Sequence, residues 1–230
     1  MLRFVYSIPF LREKICRVRF FLFMKFRKLI TGSLNSVLHS EYSKISIQSY
    51  NSNKNRITYL VRLLDNISSA SKNKRVLSCG PRFESELFGY RGLGFKWSNI
   101  LAIDTFSYSR RIQVGNIHEL DFMDDSFDYV MAGWVIAYSE NPRLAVKELT
   151  RVLKHGGKLV ITWDVTDKNL PEKLADFYIP RINNMSQRLE LTEKIFIRDL
   201  LVDNIKVERL ECGFLEKVGT SSFLTLVLKK

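Results

Sequence analysis

VLSCGPRFESE runs from Val76 to Glu86, and ILAIDTFSYS from Ile100 to Ser109. VGNIHELDFMDDSFDYVMAGWVIAYSENP follows from Val114 to Pro142, and AVKELTRVLKHGGKLVITWD from Ala145 to Asp164. Each stretch contains an apolar, strand-like run that ends in a turn of small, polar or acidic residues. Ligands of an open α/β sheet sit beyond the carboxyl ends of its strands, so these tips describe a nucleotide-type ligand site. The first tip keeps one glycine, Gly80. A nicotinamide-dependent oxidoreductase would want a glycine-rich pyrophosphate turn, and Pro81-Arg82-Phe83 supplies none.

Working outward, strands are expected at 75–79, 99–103, 111–114, 127–132 and 158–163, with helical stretches between most of them. That alternation argues for an α/β domain with a mainly parallel sheet. Ile57, Leu60, Val61 and Leu64 give helical spacing to residues 56–69. The helix before the fifth strand has Asn141 as N-cap and Pro142 in its first position, and Gly156-Gly157 is read as its stop. IKVERLEC (205–212) and SFLTLVL (222–228) read as an antiparallel hairpin on one sheet edge. Residues 165–203, ahead of that hairpin, are expected to be largely helical.

The 230 residues suffice for one such domain and a short extension. The net charge is +12, and residues 1–40 carry eight basic residues against one acid, Glu13. The division expected is a basic arm and Ser/Asn-rich linker over 1–55, followed by the domain over 56–230. Leu11, Ile15, Val18, Leu22, Phe26 and Leu29 fall on one helical face of the arm, while Phe20 and Met24 interrupt the opposite one. Four readings stay open for residues 9–30: peripheral contact with an anionic membrane, a helix packed on the domain, a mobile arm, or an Arg-rich, acid-poor transit peptide. Nucleic acid is not favoured as a partner, since no groove-reading motif is present. The longest apolar stretch near the start, Phe20–Met24, is far too short to span a membrane. Cys16, Cys79 and Cys212 lie far apart and the histidines are scattered. No zinc or other metal site is expected, and a reducing, cytoplasmic location fits.

Gly80-Pro81-Arg82, Ser107-Tyr108-Ser109 and the segment Gly133-Trp134-Val135-Ile136-Ala137-Tyr138-Ser139 carry a resemblance. In this order and on this layout, they resemble the class I S-adenosylmethionine-dependent methyltransferases, within them a bacterial methyltransferase-like group with a Gly-Pro-Arg first turn. The resemblance implies a Rossmann-like, seven-stranded, mostly parallel sheet with helices on both faces and an antiparallel last strand. It implies S-adenosylmethionine as cofactor, lying across the tips of strands one to four.

The resemblance also implies roles. Ser78, Cys79 and Gly80 would form the first turn, although the superfamily has an acid at the Ser78 position and glycines at the Arg82 and Glu84 positions. Arg82 would bind the cofactor's carboxylate or, alternatively, pair with Glu84 or Glu86. Asp104 would accept the ribose hydroxyls, or else cap the next helix, with Thr105 beside it. Asn116 would accept from the adenine amino group, in place of the usual aspartate, and the Ile117 N–H would meet an adenine ring nitrogen. Gly133 and Trp134 would lie beside the sulfur and the adenosine.

No catalytic base stands out. His118 and Tyr138 are the candidates nearest an acceptor, and His118 reads equally as a residue holding a loop. Methyl transfer can proceed by alignment alone, because the sulfonium is already a good leaving group. The expected activity is methyl transfer to a small molecule or a glycan or lipid precursor, with residues 165–203 as a lid. The alternative is a catalytically silent methyltransferase fold kept for interaction. The sequence does not name the acceptor or the oligomeric state.

Overall fold

A computed structural model describes residues 2–26, 30–31, 50, 54–68, 73–165, 206–214 and 222–230. The expected lid at 165–203, apart from Val165, and most of the 31–55 linker lie outside them.

The helices are α1 (Leu2–Ser7), α2 (Pro9–Phe26), α3 (Lys54–Ile67), α4 (Ser85–Leu93) and α5 (Pro142–Arg151). The strands are β1 (Ile30–Thr31), β2 (Val76–Cys79), β3 (Ile100–Asp104), β4 (Phe106–Ser107), β5 (Gln113–Val114), β6 (Phe127–Gly133), β7 (Leu153–Val165), β8 (Lys206–Phe214) and β9 (Ser222–Lys229). Seven strands form one sheet in the order β5-β3-β2-β6-β7-β9-β8, and β1 pairs separately with β4. β9 runs antiparallel to both β7 and β8, whereas β2, β3, β5, β6 and β7 pair in parallel. This is the mostly parallel Rossmann-like sheet with a reversed last strand that the resemblance implied. Strand order reverses between β2 and β6, which puts the ligand crevice at their carboxyl ends.

The central strands are buried on both faces, as helices on both sides require. Val76, Ala102, Met131 and Val160 join α2, α3 and α4 in one core, while Leu77, Ile103, Val130, Ala132 and Ile161 join α5 in the other. α5 begins as its sequence indicates, with the Asn141 side-chain carbonyl accepting from Leu144 N at 3.0 Å and Pro142 following. Its end differs. The helix stops at Arg151, and Gly156-Gly157 lies inside β7, where the pairing with β6 shifts register. Gly156 there takes φ 74° and its N–H bonds the Lys230 carbonyl at 2.8 Å. The glycine pair thus relieves an irregular strand start instead of capping a helix.

Asp124, Asp125 and Asp128 are dispersed onto basic partners. Asp128 binds Lys74, Lys154 and the Arg75 N–H, Asp124 binds Arg151, and Asp125 binds Lys230. Burial alone would raise the Asp128 carboxyl, but these donors outweigh it and hold it below its usual range.

α2 packs on the domain by the face that looked imperfect in sequence. Cys16 and Phe20 are fully buried, with Phe23 and Met24 packed beside them. Phe20 meets Tyr108 at 4.9 Å and Phe83 at 5.8 Å between ring centroids, so the helix sits directly against the residues around the first turn. Among the described residues no helix is long and apolar enough to cross a membrane.

Candidate functional site

The first turn holds its shape with one glycine. Gly80 has φ 72°, and Arg82, at a position where the superfamily has glycine, keeps the left-handed value of 53°. A non-glycine residue there stores about 1–3 kcal/mol of strain, which surrounding contacts must hold. Those contacts are visible. The Asp104 carboxylate, at the tip of β3, accepts from Arg82 N at 2.8 Å through Oδ2. Gly80 N donates to the Ile103 carbonyl at 2.8 Å. Glu84, fully buried, is gripped by Arg19 of α2 through two bonds of 2.7 and 3.0 Å, and also accepts from the Ser109 hydroxyl. The Glu84 N–H bonds the Tyr108 oxygen at 2.9 Å.

The missing acid at position 78 has a neighbour in its place. Ser78 is buried and donates to Glu86 Oε1 of α4 at 2.6 Å, and Tyr90 donates to the same oxygen at 2.5 Å. Burial pushes the Glu86 carboxyl upward, these two hydroxyls pull it down, and the charge of Asp104 raises it again. Both acids that sequence offered to Arg82 therefore have other partners. Arg82 acts electrostatically on Asp104 instead: burial raises that carboxyl, and the Arg82 charge is the largest influence drawing it back down. Among the described residues Asp104 Oδ1 has long contacts with Thr105 Oγ1 at 3.3 Å and Phe106 N at 3.5 Å, and the Thr105 backbone N–H also bonds the carboxylate. A partly buried carboxylate oxygen with such long contacts is suited to a ligand's hydroxyl donors.

Cys79 is not on the open side of the turn. Its side chain is buried in the α5-side core, where burial first, then the charges of Glu86 and Asp104, push its thiol upward. Gly133 also serves a different neighbour than expected. A Cβ there would lie 2.3 Å from Leu60 Cδ1, so the glycine admits α3 onto the tip of β6. Trp134 is buried beside it, with Tyr59 at 6.3 Å between ring centroids and the Arg56 guanidinium 4.8 Å above its ring. Val135 covers the first turn: a Cβ on Gly80 would meet Val135 Cγ2 at 2.9 Å.

Asn116 and His118 are bound to each other. Asn116 Oδ1 accepts from His118 N at 3.0 Å and lies 2.7 Å from His118 Nδ1. His118 Nε2 lies 2.6 Å from Ser139 Oγ. Because Asn116 Oδ1 only accepts, Nδ1 carries the proton, and the Ser139 hydroxyl, which accepts from Asn141 N, can donate to Nε2 of the neutral ring. The Asn116 oxygen is thus engaged, and its amide N–H groups are the part suited to an adenine nitrogen. Ile117 packs partly buried against the α5-side core, and Tyr138 stands 44% exposed on the turn after β6.

Burial lowers the His118 pKa, with the Glu140 charge opposing. The unfolded chain then takes up the proton more readily. The stability this network contributes is complete above about pH 6.5 and declines as pH falls below it. NMR titration of the ring should give a midpoint below that of a free imidazole, and Ser139→Ala should raise it by removing the donor to Nε2. A midpoint at or above the free value would contradict the assigned tautomer.

Arg19 and Leu60 shape this region without having been singled out by motif, and Glu84, Glu86, Val135 and Ser139 do so in roles the sequence did not assign them. In sequence Glu86 stood out only as a possible partner of Arg82, not as a neighbour of Ser78. Among the described residues no group of three His, Cys, Asp or Glu side chains gathers as a metal would need.

Residues 79–161 match the family model of a methyltransferase domain. Together with the sheet order, the match agrees with the resemblance to the class I S-adenosylmethionine-dependent methyltransferases. An uncharacterized protein of Methanocaldococcus jannaschii is 35% identical over 51 residues, which is 22% of this chain and a quarter (25%) of that protein's length.

Among solved structures, the [4+2]-cyclase SpnF is similar with a TM-score of 0.50 at 17% identity, over 77% of this chain and 80% of that one. The PH0226 protein of Pyrococcus horikoshii OT3 gives 0.47 at 22% identity, over 78% and 93%. Phosphoethanolamine N-methyltransferase 2 of Haemonchus contortus, solved with S-adenosylhomocysteine, gives 0.48 at 17% identity, over 75% and 53%. At these identities the likeness is one of fold, and the chemistry must be argued from the residues.

Proposed function

We propose that the protein transfers a methyl group from S-adenosylmethionine to a small molecule or a glycan or lipid precursor. The observation that carries this reading is the Asp104 carboxylate. It lies at the tip of β3, within hydrogen-bond reach of the Gly80–Arg82 turn, and the contacts of its Oδ1 are long. In this reading Asp104 receives the ribose hydroxyls, Asn116 donates to the adenine ring with Ile117 N–H beside it, and Arg82 faces the carboxylate of the amino-acid moiety. Ser78 and Glu86 support the turn from below. The cofactor supplies an activated methyl group on a sulfonium. The protein's share is to align the acceptor and exclude water. His118 holds the β5 turn against Ser139, so no general base is assigned.

A second reading, a silent methyltransferase fold, is favoured by Leu60 and Val135. They occupy the approaches that Gly133 and Gly80 would offer a ligand. Titration calorimetry with S-adenosylhomocysteine separates the two. Saturable binding in the micromolar to submillimolar range is expected, and no heat at millimolar ligand would leave only the silent fold.

A further inference from the structure

α2 presents two apolar faces, and among the described residues only one is covered by the domain. The inner face carries Arg12, Glu13, Cys16 and Phe20, all buried. On the outer face Phe10 is 63% exposed, Val18 59%, Phe21 56%, Leu22 50% and Leu11 36%. Lys14, Arg17 and Lys25 are exposed between them. At 100° per residue, these eight side chains fall within an arc of about 140°. Glu13, the only acid of the helix, is on the buried side, so the outer face has no negative charge. A soluble surface helix normally turns polar residues outward. Here the outward stripe is apolar and cationic together.

We infer that this outer face docks on an anionic lipid bilayer surface, holding the domain at the membrane. The composition selects that occupant. Phenylalanine and aliphatic side chains enter the boundary of the acyl chains, while lysine and arginine reach up to acidic headgroups along their apolar stems. Lys14 already lies 4.4 Å from the Phe10 ring centroid and Arg17 5.4 Å from that of Tyr50, so each charge rides on an aromatic surface. A second copy of the chain is disfavoured, because a two-fold contact would set these cations against their own counterparts. A nucleic acid would leave Leu11, Val18 and Leu22 without a role. The helix is held rigidly enough to present the stripe, since Cys16, Phe20 and Arg19 bind its other side to the domain. The inference stands whether or not the domain binds S-adenosylmethionine.

The experiment is flotation of the full chain with vesicles of phosphatidylcholine containing about one third phosphatidylglycerol, against phosphatidylcholine alone. Binding to the anionic vesicles only is expected, weakening at about 1 M salt, where the screening length falls to ~3 Å. Phe10→Ser/Leu22→Ser should reduce partitioning at least tenfold and Lys14→Glu at least fivefold. Both variants should keep the parent's thermal midpoint, because the altered side chains are exposed. Absence of flotation, equal flotation with neutral vesicles, or flotation indifferent to these variants would each overturn the inference. So would a dimer in size-exclusion chromatography that Phe10→Ser/Leu22→Ser converts to monomer without any vesicle binding.

Discussion

Arg19→Ala is expected to destabilise the protein by about 3–5 kcal/mol, because it leaves a fully buried carboxylate without its cation. Glu84 has no exposed side-chain surface, while Arg19 is 32% exposed, so the loss falls on Glu84. For a chain of this size the thermal midpoint should drop by about 6–20 °C. Glu84→Ala should cost less, because the guanidinium it orphans still reaches water. The double variant should recover part of the loss, and the cycle between them measures the coupling. An unchanged midpoint in Arg19→Ala would mean that α2 does not grip the turn in solution. The same change is expected to weaken S-adenosylhomocysteine binding, since Glu84 closes the turn that Arg82 shapes. A residue 65 positions before Glu84 thereby controls the proposed cofactor site.

Asp104→Ala is expected to weaken S-adenosylhomocysteine binding by at least tenfold in calorimetry, equivalent to about 1.4 kcal/mol or more. Two losses combine. The ribose hydroxyls lose a charged acceptor, and the Arg82 N–H loses the partner that holds its left-handed backbone. Asp104→Asn separates them. Its amide oxygen can still accept from Arg82 N, so the turn should survive while the charge-assisted bonds to ribose are lost. If Asn binds as tightly as the parent, the role of Asp104 is to hold the turn. If Ala also binds unchanged, Asp104 lies outside the site.

Parts of the molecule differ in how far they could be read from sequence. The strands at β2, β3, β6 and β7 were legible because each is a short apolar run with a chemically distinct end. Asn141-Pro142 marked the start of α5 through local capping alone. Gly156-Gly157 misled for the same reason: a local rule assigns glycine to a helix end, but the register shift between β6 and β7 is a property of the pair. Gly133 was expected beside the cofactor, whereas the neighbour that requires its missing side chain is Leu60 of α3. Asn116 was legible as an acceptor, but its oxygen is taken by His118, two residues away, once the loop folds back.

The sequence by itself determined the alternation of strands and helices, the reversed last strand, and the three tips at Gly80, Asp104 and Asn116, since period and spacing are local properties. Only the tertiary structure decided which face of α2 is buried, where Glu84 and Glu86 send their carboxyls, and why the first turn stands without its other glycines. Those answers depend on desolvation and on partners far apart in the chain. A carboxylate becomes a structural anchor only when folding removes it from water and brings Arg19, Ser109 or Ser78 within hydrogen-bond reach.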